Sequence, residues 1–322
     1  MNKILVLVVL ILIPISIVTK SNEANPVIYA STLENISLEI PIAGTDEKNE
    51  SEAEENFKVL ISNNKDKSNP FYIDLEEYII GVVAGEMPAS FQLEALKAQA
   101  VASRTFAMYK MNNVSNYVLS TTINDQVYLT NDQMKSKWGS DYDYYYNRIK
   151  EAVEATKGQV LTYNDNLIIS YYFAISNGYT DDAKTVFNED RNYLVSVSSD
   201  WDKQYKAYSS TYTLSKTSFC SKLNITCDSI NISNVVRGDN NYVRQITING
   251  TNFTGREVFN KLSLKSTDFH ISLSSNNVII KTYGFGHGVG MSQYGAQGMA
   301  SEGYNYEQIL THYYKNTNIS TI

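Results

Sequence analysis

Glu86 stands where a carboxyl group needs a reason to be. It closes the run Gly81-Val82-Val83-Ala84-Gly85-Glu86, just before Met87-Pro88. Leu75, Ile79 and Val82 form an apolar stripe with 4-3-4 spacing, and Glu86 is its next step. Eleven residues at about 100° each return Glu86 to within roughly 20° of Leu75, on the buried side. A carboxyl group there is either paired with a cation or held protonated by its surroundings. In the second case it can hand a proton to a leaving oxygen.

The elements that would position Glu86 are legible around it. Asp74 is placed to cap a helix over Leu75–Glu86, with Glu76 and Glu77 in its first turn, and Pro88 stops it. A second helix is expected from Leu93 to Met111, with five alanines from Ala95 to Ala107 that let neighbours approach closely. A third, Tyr145 to Thr156, precedes Gly158 as its C-terminal stop. Gln159–Tyr163, a turn at Asn164-Asp165-Asn166, and Leu167–Ile175 read as a hairpin. From 205 to 282 the chain is strand-rich, with alternation in Val243–Ile248 and a turn at Asn249-Gly250. No internal repeat is present. The fold expected is α+β: a single mixed domain over 57–322, N-terminal helices packed on an antiparallel, strand-rich remainder.

Residues 1–20 carry Lys3 and an apolar run from Ile4 to Val18, the pattern of a signal or membrane anchor. No small-x-small cleavage site follows, so an uncleaved anchor is favoured, with the domain outside the cytoplasmic membrane. Residues 21–56 are polar and acidic and read as a flexible tether. The 322-residue chain has a net charge of -7 and no long Lys/Arg run, which argues against a nucleic-acid partner. Tyr is abundant, 25 against 2 Trp, and suits both sugar stacking and ordinary core duty. Cys220 and Cys227 are either one small-loop disulfide or two free thiols.

Five ordered blocks resemble the stage II sporulation protein D family, whose domain is shared with the amidase enhancer proteins of cell walls. They are Glu86-Met87-Pro88 with Glu94 to Thr105; Thr121-Thr122 with Asp125-Gln126-Val127-Tyr128; and Ser176-Asn177-Gly178-Tyr179-Thr180 with Tyr193-Leu194 and Trp201-Asp202. The others are Thr254-Gly255-Arg256 with Leu264 to Phe269, and Gly284-Phe285-Gly286-His287-Gly288-Val289-Gly290-Met291-Ser292-Gln293-Tyr294-Gly295-Ala296. The resemblance runs from about 57 to 320. It implies a membrane-anchored lytic transglycosylase acting on peptidoglycan glycan strands. Such an enzyme works with a wall amidase and other membrane proteins of engulfment, and Glu86 is its catalytic residue.

A lytic transglycosylase can manage with one carboxyl group that first gives and then takes a proton. Further candidates for substrate contact are Arg104, Gln99, Gln126, Tyr128, Ser176, Tyr179, His287, Gln293 and Tyr294. Arg104 would orient Glu86 or a substrate carboxylate, against a surface salt bridge as the alternative. The alternating glycines 284, 286, 288 and 290 suggest a substrate-lining loop around His287. Some members of the family bind zinc through a His-Cys pair, but Asn124 and Asp125 occupy those positions here, so neither metal nor cofactor is expected. Asn177 stands where a second glycine is common, a mild change if it must adopt positive φ. The alternative function is a non-catalytic wall-binding amidase enhancer; a glycosidase for another bacterial polysaccharide is a weaker third.

Overall fold

A computed structural model describes residues 57–64 and 66–322. The expected anchor and tether lie outside the described residues. Lys58–Ser62 pairs antiparallel with Phe71–Asp74, and Asp74 then caps helix α1 (Leu75–Glu86) by accepting the Glu76 and Glu77 N–H groups. Leu75, Ile79, Val82 and Glu86 are all buried, as the stripe requires. Helix α2 (Leu93–Asn113) buries its alanines completely at Ala95, Ala98, Ala100, Ala102 and Ala107. Without side-chain bulk there, α1 and three later helices pack against it.

Two helices follow where one was expected. Helix α3 (Asn131–Trp138) opens with a capping box between Thr130 and Gln133. Only Met134 of α3 is buried, so no apolar stripe announces it. Helix α4 (Tyr142–Glu154) starts before Tyr145 and ends before Thr156, with Gly158 at φ +70° beyond it. Gln159–Tyr163 runs between Asn166–Leu167 and the C-terminal strand Asn318–Thr321. The long second strand expected to Ile175 breaks up: Leu167 ends the short strand Asn166–Leu167, and Tyr172–Phe173 is a separate strand that pairs parallel with Met291–Ser292.

After helix α5 (Ala183–Phe187) the strand-rich region builds two antiparallel three-stranded sheets. One holds Ser209–Ser215, Asn277–Tyr283 and Asp268–Leu273; the other holds Ile232–Arg237, Val243–Ile248 and Thr251–Thr254. Asn249 and Gly250, both at positive φ, make the expected turn. Helices α6 (Lys216–Leu223) and α7 (Gly255–Leu262) pack together here, and the Cys220–Cys227 disulfide is formed. Helices α8 (Gln293–Ser301) and α9 (Tyr306–Tyr313) return the chain to α2.

The fold is therefore mixed α/β, but the helices do not simply lie on the strand-rich part. Residues 209–283 supply a second hydrophobic cluster around Phe219, Phe259 and Phe269, distinct from the larger one around α1, α2, α8 and α9. The seam between the clusters is polar. Asp181 meets Arg244, Asn177 donates to Asp268 at 2.9 Å, and the Tyr242 hydroxyl donates to the Tyr179 carbonyl at 2.9 Å. Among the described residues, no helix is long and apolar enough to cross a membrane.

Candidate active site

Glu86 is the last residue of α1 and is 7% exposed. One carboxylate oxygen accepts the Val127 N–H at 2.7 Å, and the Gln293 amide and Tyr172 hydroxyl also donate to the carboxyl group. The close approach of Val127 depends on Gly85, because a Cβ there would run into the Val127 carbonyl. Burial raises the Glu86 pKa to about 7, and the Val127, Gln293 and Tyr172 donors pull against that rise. The negative end of the α1 dipole acts in the same direction as burial. No acidic neighbour is among the causes of the shift.

Two buried polar chains run back from Glu86. In one, Gln293 donates to Gln99 at 3.3 Å and Gln99 donates to the Ser103 hydroxyl at 2.9 Å. In the other, the Gln126 amide donates to the Tyr172 hydroxyl at 2.9 Å and to the Ser103 carbonyl, while Tyr78 donates to Gln126 at 3.2 Å. Tyr128 stacks on Tyr78, ring centroids 5.7 Å apart. Tyr294, next to Gln293, packs edge-on against Phe91 in the loop that follows Glu86. Gln99, Gln126, Tyr128, Gln293 and Tyr294 thus gather around α1 and its C-terminal end.

Four expected residues are elsewhere. Arg104 is fully buried, but its guanidinium is spent on Glu76 (2.9 and 2.5 Å) and on the Gln159 carbonyl at 3.0 Å. It neither orients Glu86 nor sits at the surface; it fastens the start of α1 to the strand after α4. Ser176 donates to Asp202 at 2.8 Å and to the Ser199 carbonyl. Asp202 also accepts from Ser199 and Ser292, yet burial still lifts its pKa to about 6. Ser176 is a strut of that buried knot. Tyr179 is 41% exposed, with its backbone in the seam between the clusters. Asn177 keeps a negative φ and uses its side chain on Asp268 and Asn240 instead.

His287 is separated from Glu86 by the Tyr172–Phe173 strand. Alternation along a strand sends Tyr172 to one face and its neighbours Tyr171 and Phe173 to the other. Tyr172 reaches Glu86; Tyr171 and Phe173 pack on His287, with Phe187 closing the box. The four loop glycines all hold positive φ, between 81° and 122°. The loop therefore lies against the strand's far face rather than beside Glu86.

Tyr172, Tyr78 and the Val127 N–H are the parts of the site that sequence reading missed. Tyr171-Tyr172-Phe173 shows that neighbours face opposite ways, but not which one meets Glu86. Asp125, at one position of the family's metal-binding pair, accepts from Tyr117 at 2.6 Å and from the Ser120 N–H, and pairs with Lys67.

Comparison with known proteins adds four findings. A family model described as stage II sporulation protein matches residues 64–163. Over 256 residues the chain is 41% identical to stage II sporulation protein D of Bacillus subtilis, covering 77% of this chain and 75% of that protein. It is 42% identical over 256 residues to the protein of the same name from Bacillus amyloliquefaciens, covering 77% and 74%. It is also 29% identical over 304 residues to the amidase enhancer of Bacillus subtilis, covering 75% of this chain and 40% of that protein.

Proposed function

The chain belongs to the stage II sporulation protein D family, and from that premise we propose that it is a lytic transglycosylase cutting peptide-stripped peptidoglycan strands. The observation that carries this reading is a single buried carboxyl group whose pKa of about 7 keeps a proton available near neutrality. Protonated Glu86 donates to the glycosidic oxygen and the C1–O bond breaks. The muramic acid C6 hydroxyl then attacks C1, and its proton passes to the Glu86 carboxylate. The product carries a 1,6-anhydro ring, no water is consumed, and Glu86 ends as it began. The Tyr172 and Gln293 donors stabilise the carboxylate while it exists. A second carboxylate is not needed, in keeping with the causes of the Glu86 shift.

The wider setting belongs to the same proposal: a domain held on the wall side of the membrane by the N-terminal segment. It follows an amidase that removes stem peptides during engulfment of the forespore. A second reading is a non-catalytic amidase enhancer that holds glycan. The likeness to the Bacillus subtilis amidase enhancer and the 7% exposure of Glu86 favour that one.

Mass analysis of products from stripped glycan strands separates the two. Full-length protein should yield ends in 1,6-anhydro-muramic acid, and Glu86→Gln should lose about 100-fold or more of that rate. Reducing ends would mean hydrolysis, and intact strands that still bind would favour the enhancer.

A further inference from the structure

On the face of the Tyr172–Phe173 strand away from Glu86, His287 lines a cavity of about 430 Å³. Asp181 and Thr185 stand beside it, and Arg244, Arg256 and Thr267 enter from the strand-rich part. The cavity therefore opens where the two hydrophobic clusters meet. Most of its polar groups are already committed. Arg244 binds both Asp181 oxygens (2.5 and 2.7 Å) and Asn240 donates to Asp181 as well, so this pair carries no net charge. His287 accepts the Val289 N–H on Nδ1 at 3.1 Å; burial, helped by Arg256, lowers its pKa to about 3, so the ring is neutral.

Arg256 is different. It sits in the first turn of α7, half-buried, with its guanidinium 4.8 Å from the Phe259 ring centroid. Among the described residues no acid pairs with it. Its neighbour Glu257 is occupied in the capping box with Thr254. The Thr185 and Thr267 hydroxyls have no hydrogen-bond partner among the described residues. A desolvated guanidinium without a counter-ion is costly, and its planar fork matches a carboxylate. One net positive charge beside a neutral imidazole suits a monoanion better than a phosphate. The volume is that of a small-ligand pocket.

We propose that this cavity binds the carboxylate of a muramyl unit, with Arg256 as its principal contact. The identity of the ligand rests on the glycan-cutting reading above. Two sources carry that group: the lactyl acid of a peptide-free muramic acid, and the free acid of a stem peptide. Either would anchor wall polymer at the seam while the strand is presented to Glu86.

Calorimetric titration of the full chain carrying Glu86→Gln, which prevents turnover, tests this with three ligands. N-acetylmuramic acid and N-acetylmuramyl-L-alanyl-D-isoglutamine carry a carboxylate; N-acetylglucosamine does not. At least one acid should bind about tenfold or more tightly than N-acetylglucosamine, and Arg256→Gln should remove that advantage. Binding of N-acetylmuramic acid assigns the lactyl group. Binding of the muramyl peptide alone assigns the peptide acid, because its lactyl group is amidated.

Equal binding of all three ligands, no binding of either acid, or an unchanged advantage in Arg256→Gln overturns the proposal. If Arg256→Gln fails to fold by thermal melting, Arg256→Lys carries the test. It keeps the charge but loses the fork, and must bind the acid several-fold more weakly. Carboxylate binding without anhydro product from the native chain supports the cavity and overturns the cleavage reading. Cleavage without carboxylate binding overturns the cavity alone.

Discussion

At Glu86 burial competes with three hydrogen-bond donors, and burial wins, lifting the pKa from 4.5 to about 7. The folded value lies above the unfolded one, so folding takes up a proton between those limits. The stabilising contribution is complete below pH 4.5 and is lost as pH rises through 7. Glu86→Gln, which cannot ionise, should therefore be more stable than wild type at pH 8, by roughly 3 kcal/mol at most. At pH 4 it should gain nothing. Denaturant titrations at the two pH values check this, and equal differences at both would mean a solvated carboxyl group. The cleavage rate should also fall about tenfold per pH unit above 7, as the acid form is depleted. Arg104 belongs to the stability side. Arg104→Gln strands Glu76 and the Gln159 carbonyl and should cost about 3 kcal/mol. Unfolding at normal denaturant concentration, with cleavage alone impaired, would return Arg104 to substrate binding.

Elements set how closely the donors reach Glu86. The segment carrying Gln126 and Val127 leans on α1 at Gly81 and Gly85, where side chains would collide with Tyr128 and with the Val127 carbonyl. Gly85→Ala should push this segment away, at about 1–3 kcal/mol, and weaken the Val127 bond to Glu86. That bond lowers the Glu86 pKa, so its loss should move the alkaline limb of the pH–rate profile to higher pH; an unmoved limb would show that Val127 tolerates the methyl group. Local chemistry made α1 readable: an Asp cap, a 3.6-residue stripe and a proline stop all lie within fifteen residues. The strand bearing Tyr172 has only two residues and pairs with Met291–Ser292, far along the chain, so no local pattern could fix its extent or face.

At the scale of the molecule, two hydrophobic clusters share a polar seam. The Cys220–Cys227 disulfide fastens the smaller one, closing a short loop at the end of α6. Loop-closure entropy for so short a ring gives about 2.5 kcal/mol. Reduction should lower the stability of the strand-rich part by that order while leaving amide protection in α1 and α2 less affected, read by hydrogen exchange in both redox states. A uniform loss over both parts would mean that they unfold as one unit. The sequence by itself determined the course of α1, the place of Glu86 on its buried side, the Asn249-Gly250 turn and the family, because caps, periods and motif blocks are local. It singled out Gln99, Gln126 and Gln293 as candidate substrate contacts, but not that they join in two buried chains behind Glu86. Only the tertiary structure decided that Arg104 serves Glu76, that Ser176 serves Asp202, and that His287 lies on the opposite face of a strand from Glu86. Those outcomes depend on burial and on partners tens to hundreds of residues away, which side-chain type and spacing do not encode.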